Sequence, residues 1–339
     1  MSIRQALDAI VNQRRDLSED EAAAAMQEMM GGEATPAQAG AFLTALRMKG
    51  ETADEVTGMA RVMREHSLRV DVEGPLVDTC GTGGDGSGIF NVSTAAAFVV
   101  AGAGGRVAKH GNRAMSSACG SADVLEALGA RIDLGPEQVA ECIRKTGFGF
   151  MFAQAFHPAM KHVAPVRREI GIRTVFNILG PLTNPAEARH QVLGVARPEL
   201  APLMAEVLGR LGTKHALVVH GHGGVDELSL SGPTSVHELR DGNITESTVR
   251  PEDAGLTQAP IEEIRGGSAE ENAARLRAVL SGEAGPARDV VVLNAAAALV
   301  AADIAPDLRK GARLAQESID SGAARERMKA FVEVSTSFG

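Results

Sequence analysis

Pro75-Leu76-Val77-Asp78-Thr79-Cys80, then Gly81-Thr82-Gly83-Gly84-Asp85-Gly86-Ser87-Gly88-Ile89-Phe90, then Asn91-Val92-Ser93-Thr94 run into an Ala/Val stretch that closes near Ala103. The first piece reads as a short buried strand and Ser93–Ala103 as a helix, so a glycine-rich loop joins strand to helix. Glycines let the backbone bend sharply and come close to a ligand. Free amides in such a loop and at a helix start form a positive pocket suited to phosphate. Asn91, Ser93 and Thr94 add polar side chains at the entrance. The plain alternative is a turn capped by Asn91 or Ser93.

A literal GxGxxG stands at Gly81, Gly83 and Gly86. A dinucleotide site built on it requires an acid at the end of the next strand, to hold the ribose hydroxyls. That strand, Gly105-Arg106-Val107-Ala108-Lys109, runs instead into His110-Gly111-Asn112-Arg113. A base stands where the acid belongs. The lysine and serine of a Walker loop are absent too. One strand end offering amides and a second offering cations make a site for a multiply charged phosphate; a solvated basic loop is the bland counterpart.

Outward from this pair, strand-like and helix-like pieces alternate: Phe148–Phe152, Gln191–Ala196, Pro198–Leu211, His215–His220 and Asp289–Leu293, the last taken as a strand leading into a helix. Such alternation predicts an α/β fold with a mostly parallel central sheet flanked by helices. Asp241-Gly242, between Ser235–Arg240 and Asn243–Val249, predicts an antiparallel hairpin. Residues 1–66 read as short helices, three of them opened by capping boxes at Ser18, Thr35 and Thr52. The expected organisation is a small helical domain over 1–70, with a later contribution near 160–185, and a large α/β domain over 71–339. The Gly180–Pro185 stretch is a punctuated connection and a candidate hinge.

Composition narrows the function classes. A net charge of −9 opposes nucleic acid and anionic membranes, and ten Phe with no Trp or Tyr give little platform for base stacking. Cys80, Cys119 and Cys142 form no CxxC or zinc pattern, so reduced thiols in a cytoplasmic protein are expected. The start, MSIRQALDAIVNQRRDLSEDE, lacks the apolar core of a signal peptide. No run reaches the roughly 18 apolar residues of a membrane span. His220 and His222 have no third ligand at zinc spacing.

GTGGD, NVST, KHGNR and GSADVLEALG, in this order and spacing, resemble the signature of the anthranilate phosphoribosyltransferases. His157–Lys161 through Arg167 to Gly171–Thr174, the stretch FNILGPLTNP at 176–185, and His220-Gly221 through Asp226-Glu227-Leu228-Ser229 agree, so the similarity spans about residues 3–335. The resemblance implies the nucleoside phosphorylase/phosphoribosyltransferase type of fold, a homodimer, Mg²⁺ as cofactor, and phosphoribosyl pyrophosphate and anthranilate as substrates. It assigns the donor to Gly81, Gly84, Asp85, Asn91, Val92, Ser93, Thr94, Lys109, His110, Gly111, Asn112, Arg113, Ala114, Met115, Ser116, Ser117 and Ser121. Anthranilate falls to Gly81, Asn112 and Arg167, with Arg168 as rival to the last; Mg²⁺ falls to Ser93, Asp226 and Glu227. Lys109, His110 and Arg113 are the candidate catalytic residues, Lys109 or Arg113 for the leaving group and His110 for a late proton. Ile89 departs from the family's usual Thr or Ser and is left out; Cys119 is read as a small filler.

Two rivals stand beside this reading. A pyrimidine-nucleoside phosphorylase shares the GTGG loop, but its Lys-Ser-Gly-Arg-Gly type of segment is replaced here by KHGNR. A non-catalytic nucleic-acid-binding relative should be more basic and should have lost part of the acid and arginine set. The preferred reading requires Asp85, Lys109 and the 226–227 carboxylates to meet.

Overall fold

The structure, a computed structural model, describes residues 1–114 and 118–338. Among the described residues seven strands form one sheet: β1 (Val77–Gly81), β2 (Val107–Gly111), β3 (Phe148–Phe152), β4 (His190–Gly194), β5 (His215–Gly221), β6 (Thr234–Arg240) and β7 (Asn243–Val249). Their order is β3-β2-β1-β4-β5-β6-β7. The first five run parallel, and β6 and β7 add an antiparallel hairpin closed by Asp241-Gly242, as the sequence predicts. The chain moves from β1 outward to β2 and β3, then returns to place β4 on the other flank of β1. In open α/β sheets the crevice at such a reversal, beyond the carboxyl ends of the strands, is where ligands bind.

Two apolar clusters cover the two faces. Along β4 and β5 the alternation of a strand sends Val192, Leu217 and Val219 to one face and Leu193, Ala216 and Val218 to the other. The first face packs on the helices Val92–Gly102 and Pro286–Ala301, with the Phe98, Phe148 and Phe331 rings stacked beyond. The second joins the four N-terminal helices, Ile3–Val11, Glu19–Gly31, Pro36–Lys49 and Ala53–Glu65, to Val163, Val166, Phe176, Ile178, Leu179 and Leu182. The capping boxes at Ser18, Thr35 and Thr52 all form, each hydroxyl accepting from the amide three residues on.

One expectation fails. Asp289–Leu293 is no strand; it lies within the single helix Pro286–Ala301. Val290–Ala298 are all buried there. A segment apolar on every side satisfies a central helix as well as a central strand, and short apolar runs do not separate the two by periodicity. Pro286 at the first turn and the alanines that follow favour the helix.

Candidate active site

β1 and β4 end side by side at Gly81 and Gly194, and the turn carrying Asp226 and Glu227 lies across both ends. Neither strand end has room for a side chain. A Cβ on Gly81 would fall 2.2 Å from the Asp226 carboxylate, and one on Gly194 would meet the Asp226 carbonyl at 1.6 Å. The glycines therefore let an acidic turn settle directly on the reversal of the sheet. Asp226 Oδ2 accepts from the Gly83 amide at 2.7 Å, and Glu227 Oε1 from the Ser93 amide at 3.1 Å. From β2, the buried Lys109 donates to the Thr79 carbonyl and, at 3.2 Å, to the Ser93 hydroxyl. Amide loop, helix start, lysine and acidic pair thus share one network.

The acids there are uncomfortable. Asp226 and Glu227 are each only partly exposed. Burial, then the charge of Asp85, raises Asp226 to about 6. Burial, then Asp226, raises Glu227 to about 8, with Lys109 and Ser93 pulling the other way. Three clustered carboxylates facing one lysine call for a proton or a cation. No cage of three His, Cys, Asp or Glu ligands forms among the described residues. Two carboxylates with the Ser93 hydroxyl are instead the partial oxygen set that suits Mg²⁺ when phosphate oxygens complete its shell.

The glycine loop is shaped by backbone that other residues rarely adopt. Gly83 and Gly84 hold φ of 67° and 69°, and Gly86 and Gly88 follow at 72° and 65°. Asp85 accepts from the Ser87 amide and hydroxyl, a local turn. The far end of the loop is tied to a later segment: Ile89 bridges to Arg265, and Gly266 donates to the Gly88 carbonyl. Among the described residues the amides of Gly84 and Asp85 have no partner. Asn91 donates to the Cys119 carbonyl and accepts from Asn272. Val92 is buried with its amide on the Phe90 carbonyl, and the buried Thr94 hydroxyl finds no partner among the described residues.

The basic loop divides. Arg113 leaves the crevice network to pair with Asp123 and Glu126, over the Phe152 ring. Asn112 accepts from the Arg113 amide and, at 3.5 Å, from Gln154. Ala114 donates its amide to Asp123, and Ser121 donates to the Asn112 carbonyl across the tight approach at Gly111. Met115, Ser116 and Ser117 lie outside the described residues. His110 is buried, one ring nitrogen 3.1 Å from the Gly180 carbonyl and the other 3.2 Å from His157. Burial, then His157, pushes His110 down to about 3, and burial takes His157 to about 4. Both rings are neutral at pH 7, and neither nitrogen of His110 is free.

Arg167 sits apart on the helix Ala164–Ile170, half-buried, its guanidinium 5.1 Å from the centre of the Phe176 ring, whereas Arg168 is exposed. Sequence reasoning missed Arg173, which donates to the Gly83 and Gly84 carbonyls, and the buried Asp78, which accepts from Asn184 and the His110 amide. A lone acid in the apolar run Leu76–Cys80 was the available signal for Asp78.

Comparison with known proteins places the chain in a family. Residues 4–67 match the helical bundle domain, and residues 73–325 the a/b domain, of a glycosyl transferase family. The anthranilate phosphoribosyltransferase of Chloroflexus aggregans is 63% identical over 337 residues, 99% of each chain. That of Roseiflexus castenholzii is 60% identical over 338 residues, again 99% of each. The crystal structure of the Thermus thermophilus anthranilate phosphoribosyltransferase superposes with a TM-score of 0.91 at 49% identity, over 98% of each chain. The Saccharomyces cerevisiae anthranilate phosphoribosyltransferase, solved in complex with PRPP and Mg, gives 0.91 at 30% identity, over 99% of this chain and 98% of its own.

Proposed function

The chain belongs to the anthranilate phosphoribosyltransferase family, and from that membership we propose how its residues divide the work. The enzyme transfers the 5-phosphoribosyl group of phosphoribosyl pyrophosphate to the amine of anthranilate, releasing pyrophosphate, the second step of tryptophan biosynthesis from chorismate. As the bond from ribose C1 to the pyrophosphate oxygen breaks, positive charge gathers on the ring and negative charge on the leaving group. The protein's task is to stabilise that separation and to aim the amine.

The donor pyrophosphate lies against the free amides of Gly84 and Asp85 and the helix entrance at Asn91–Thr94, with Gly81 and residues 109–117 and 121 around it. Ser93, Asp226 and Glu227 would hold Mg²⁺, which neutralises charge on the departing pyrophosphate when bound. Lys109 adds a fixed positive charge below, through the Ser93 hydroxyl; Arg113 would add another only on leaving its pairing with Asp123 and Glu126. Arg167 offers its planar fork to the anthranilate carboxylate, with Asn112 and Gly81 beside the ring. An arylamine is unprotonated at neutral pH, so attack needs no strong base, in keeping with a His110 that has no free nitrogen.

One observation carries this reading: the joining of Gly83, Asp226, Glu227, Ser93 and Lys109 across the ends of β1 and β4. Loss of anthranilate fluorescence on adding phosphoribosyl pyrophosphate, with and without Mg²⁺, tests it. Consumption should require both additions; none under any condition would end the proposal.

The same proposal includes a small domain of residues 1–70 with 160–185, a large domain of 71–339, and a homodimer through the helical part. Support comes from the shared apolar cluster of those helical segments and from Met48, which is 83% exposed. Light scattering at twice the 35.2 kDa chain mass checks the dimer. A cytoplasmic location belongs here too; among the described residues no helix is long and apolar enough to cross a membrane.

A further inference from the structure

We infer that Arg173 is a positioning residue that aims the glycine loop at the donor and ties that loop to the element carrying Arg167. Its guanidinium donates to the carbonyls of Gly83 and Gly84, both at 3.0 Å. In a planar trans peptide the carbonyl of one residue and the amide of the next point in opposite directions. With those two carbonyls turned to Arg173, the amides of Gly84 and Asp85 are turned away from it, and among the described residues both lack a partner, as do the amides of Gly86 and Gly88 further along the loop. On the other side the Gly83 amide is fixed by Asp226. The two peptide units are therefore held from behind, which keeps their donors presented before any anion arrives.

The ordinary reading of an exposed arginine is a surface ion pair, and the contacts argue against it. Arg173 forms no ion pair among the described residues; its hydrogen bonds go to carbonyls. The planar fork meets the two carbonyls with separate nitrogens, Nη1 and Nη2, a geometry that a single ammonium does not reproduce. The loop is cut to fit it: a Cβ on Gly84 would stand 2.2 Å from Arg173 Nη1. Arg173 also closes a short mechanical path. It stands three residues beyond Ile170, the end of the Arg167 helix, past Gly171 in the left-handed conformation, and three before Phe176, on which Arg167 stacks.

The inference rests on the functional reading above, and the test separates the two. The full-length Arg173→Ala and Arg173→Lys proteins are compared with wild type for binding of phosphoribosyl pyrophosphate with Mg²⁺ by calorimetry, for KM of both substrates, and for Tm. Losing both bonds should weaken donor binding about tenfold, with Arg173→Lys recovering less than half of the loss. KM for anthranilate at saturating donor should stay within about twofold and Tm within about 2 °C, since the side chain is exposed. Unchanged donor binding in Arg173→Ala overturns the inference. So does full rescue by lysine, or a parallel rise of both KM values with a lowered Tm. A wild-type protein that neither binds the donor nor consumes anthranilate would sink the functional reading itself, and this inference with it.

Discussion

The carboxyl ends of β1 and β4 and the opposite ends of β4 and β5 both gather ionisable side chains, and they treat them differently. At the far ends, His215 is buried with both ring nitrogens 2.9 Å from carboxylates, those of Asp303 and Glu238. Arg240 reaches Asp303 at 3.3 Å, and His190 is bound to the Ala301 carbonyl at 2.7 Å. Each group there has a partner of suitable kind. In the crevice, Asp85, Asp226 and Glu227 crowd together, two of them raised in pKa, beside amides that have no partner among the described residues. Ionisable groups in themselves do not mark a functional end of a sheet; unmet ones do, because burying them is worthwhile only if a ligand completes them.

Substitutions sharpen that contrast. Asp226→Asn combined with Glu227→Gln should lower turnover on the order of a thousandfold and flatten its Mg²⁺ dependence, since the neutral amides cannot hold the cation. Wild-type rates in that protein would put the metal elsewhere. Gly81→Ala forces the Asp226 carboxylate aside and should cost roughly ten- to a hundredfold in kcat/KM, with the fold retained by circular dichroism. If it ran at full rate, the close approach would have no catalytic meaning.

Arg167→Ala should raise KM for anthranilate about tenfold while the donor KM stays put. Equal changes in both would remove Arg167 from the acceptor site. At the far end, His215→Ala leaves Asp303 and Glu238 facing each other. Because both acids keep contact with water, the expected cost is only about 1–2 kcal/mol, read as a Tm lower by a few degrees. Its kinetics should match wild type. A kinetic defect there would erase the distinction between the two ends.

Much of the site was legible because its signals are local or compositional. Gly81–Gly88 announces backbone of unusual shape, and the Lys109–Arg113 run at the end of the second strand counts strongly against the dinucleotide reading by its charge. The roles of Asp226 and Glu227 came from resemblance, since an adjacent acid pair is otherwise a common solvated turn. Arg173 and His157 stand in the sequence as ordinary members of longer motifs. Nothing near them in sequence says that one clamps a loop 89 residues away or that the other quiets His110 across 47.

What the sequence determined by itself was whatever is decided within a few residues: the capping boxes at Ser18, Thr35 and Thr52, the Asp241-Gly242 hairpin, and the strand, glycine loop and helix of 77–102. These depend on hydrogen bonds and dihedral preferences between near neighbours. Tertiary structure decided that 289–293 is helix, that Asp226 crosses to Gly83 over 143 residues, and that Arg113 pairs away from the crevice while Lys109 stays in it. Those outcomes follow from which faces are buried against which. That is settled by the order of strands in the sheet, because a carboxylate or guanidinium finds its partner only after packing has brought distant segments together.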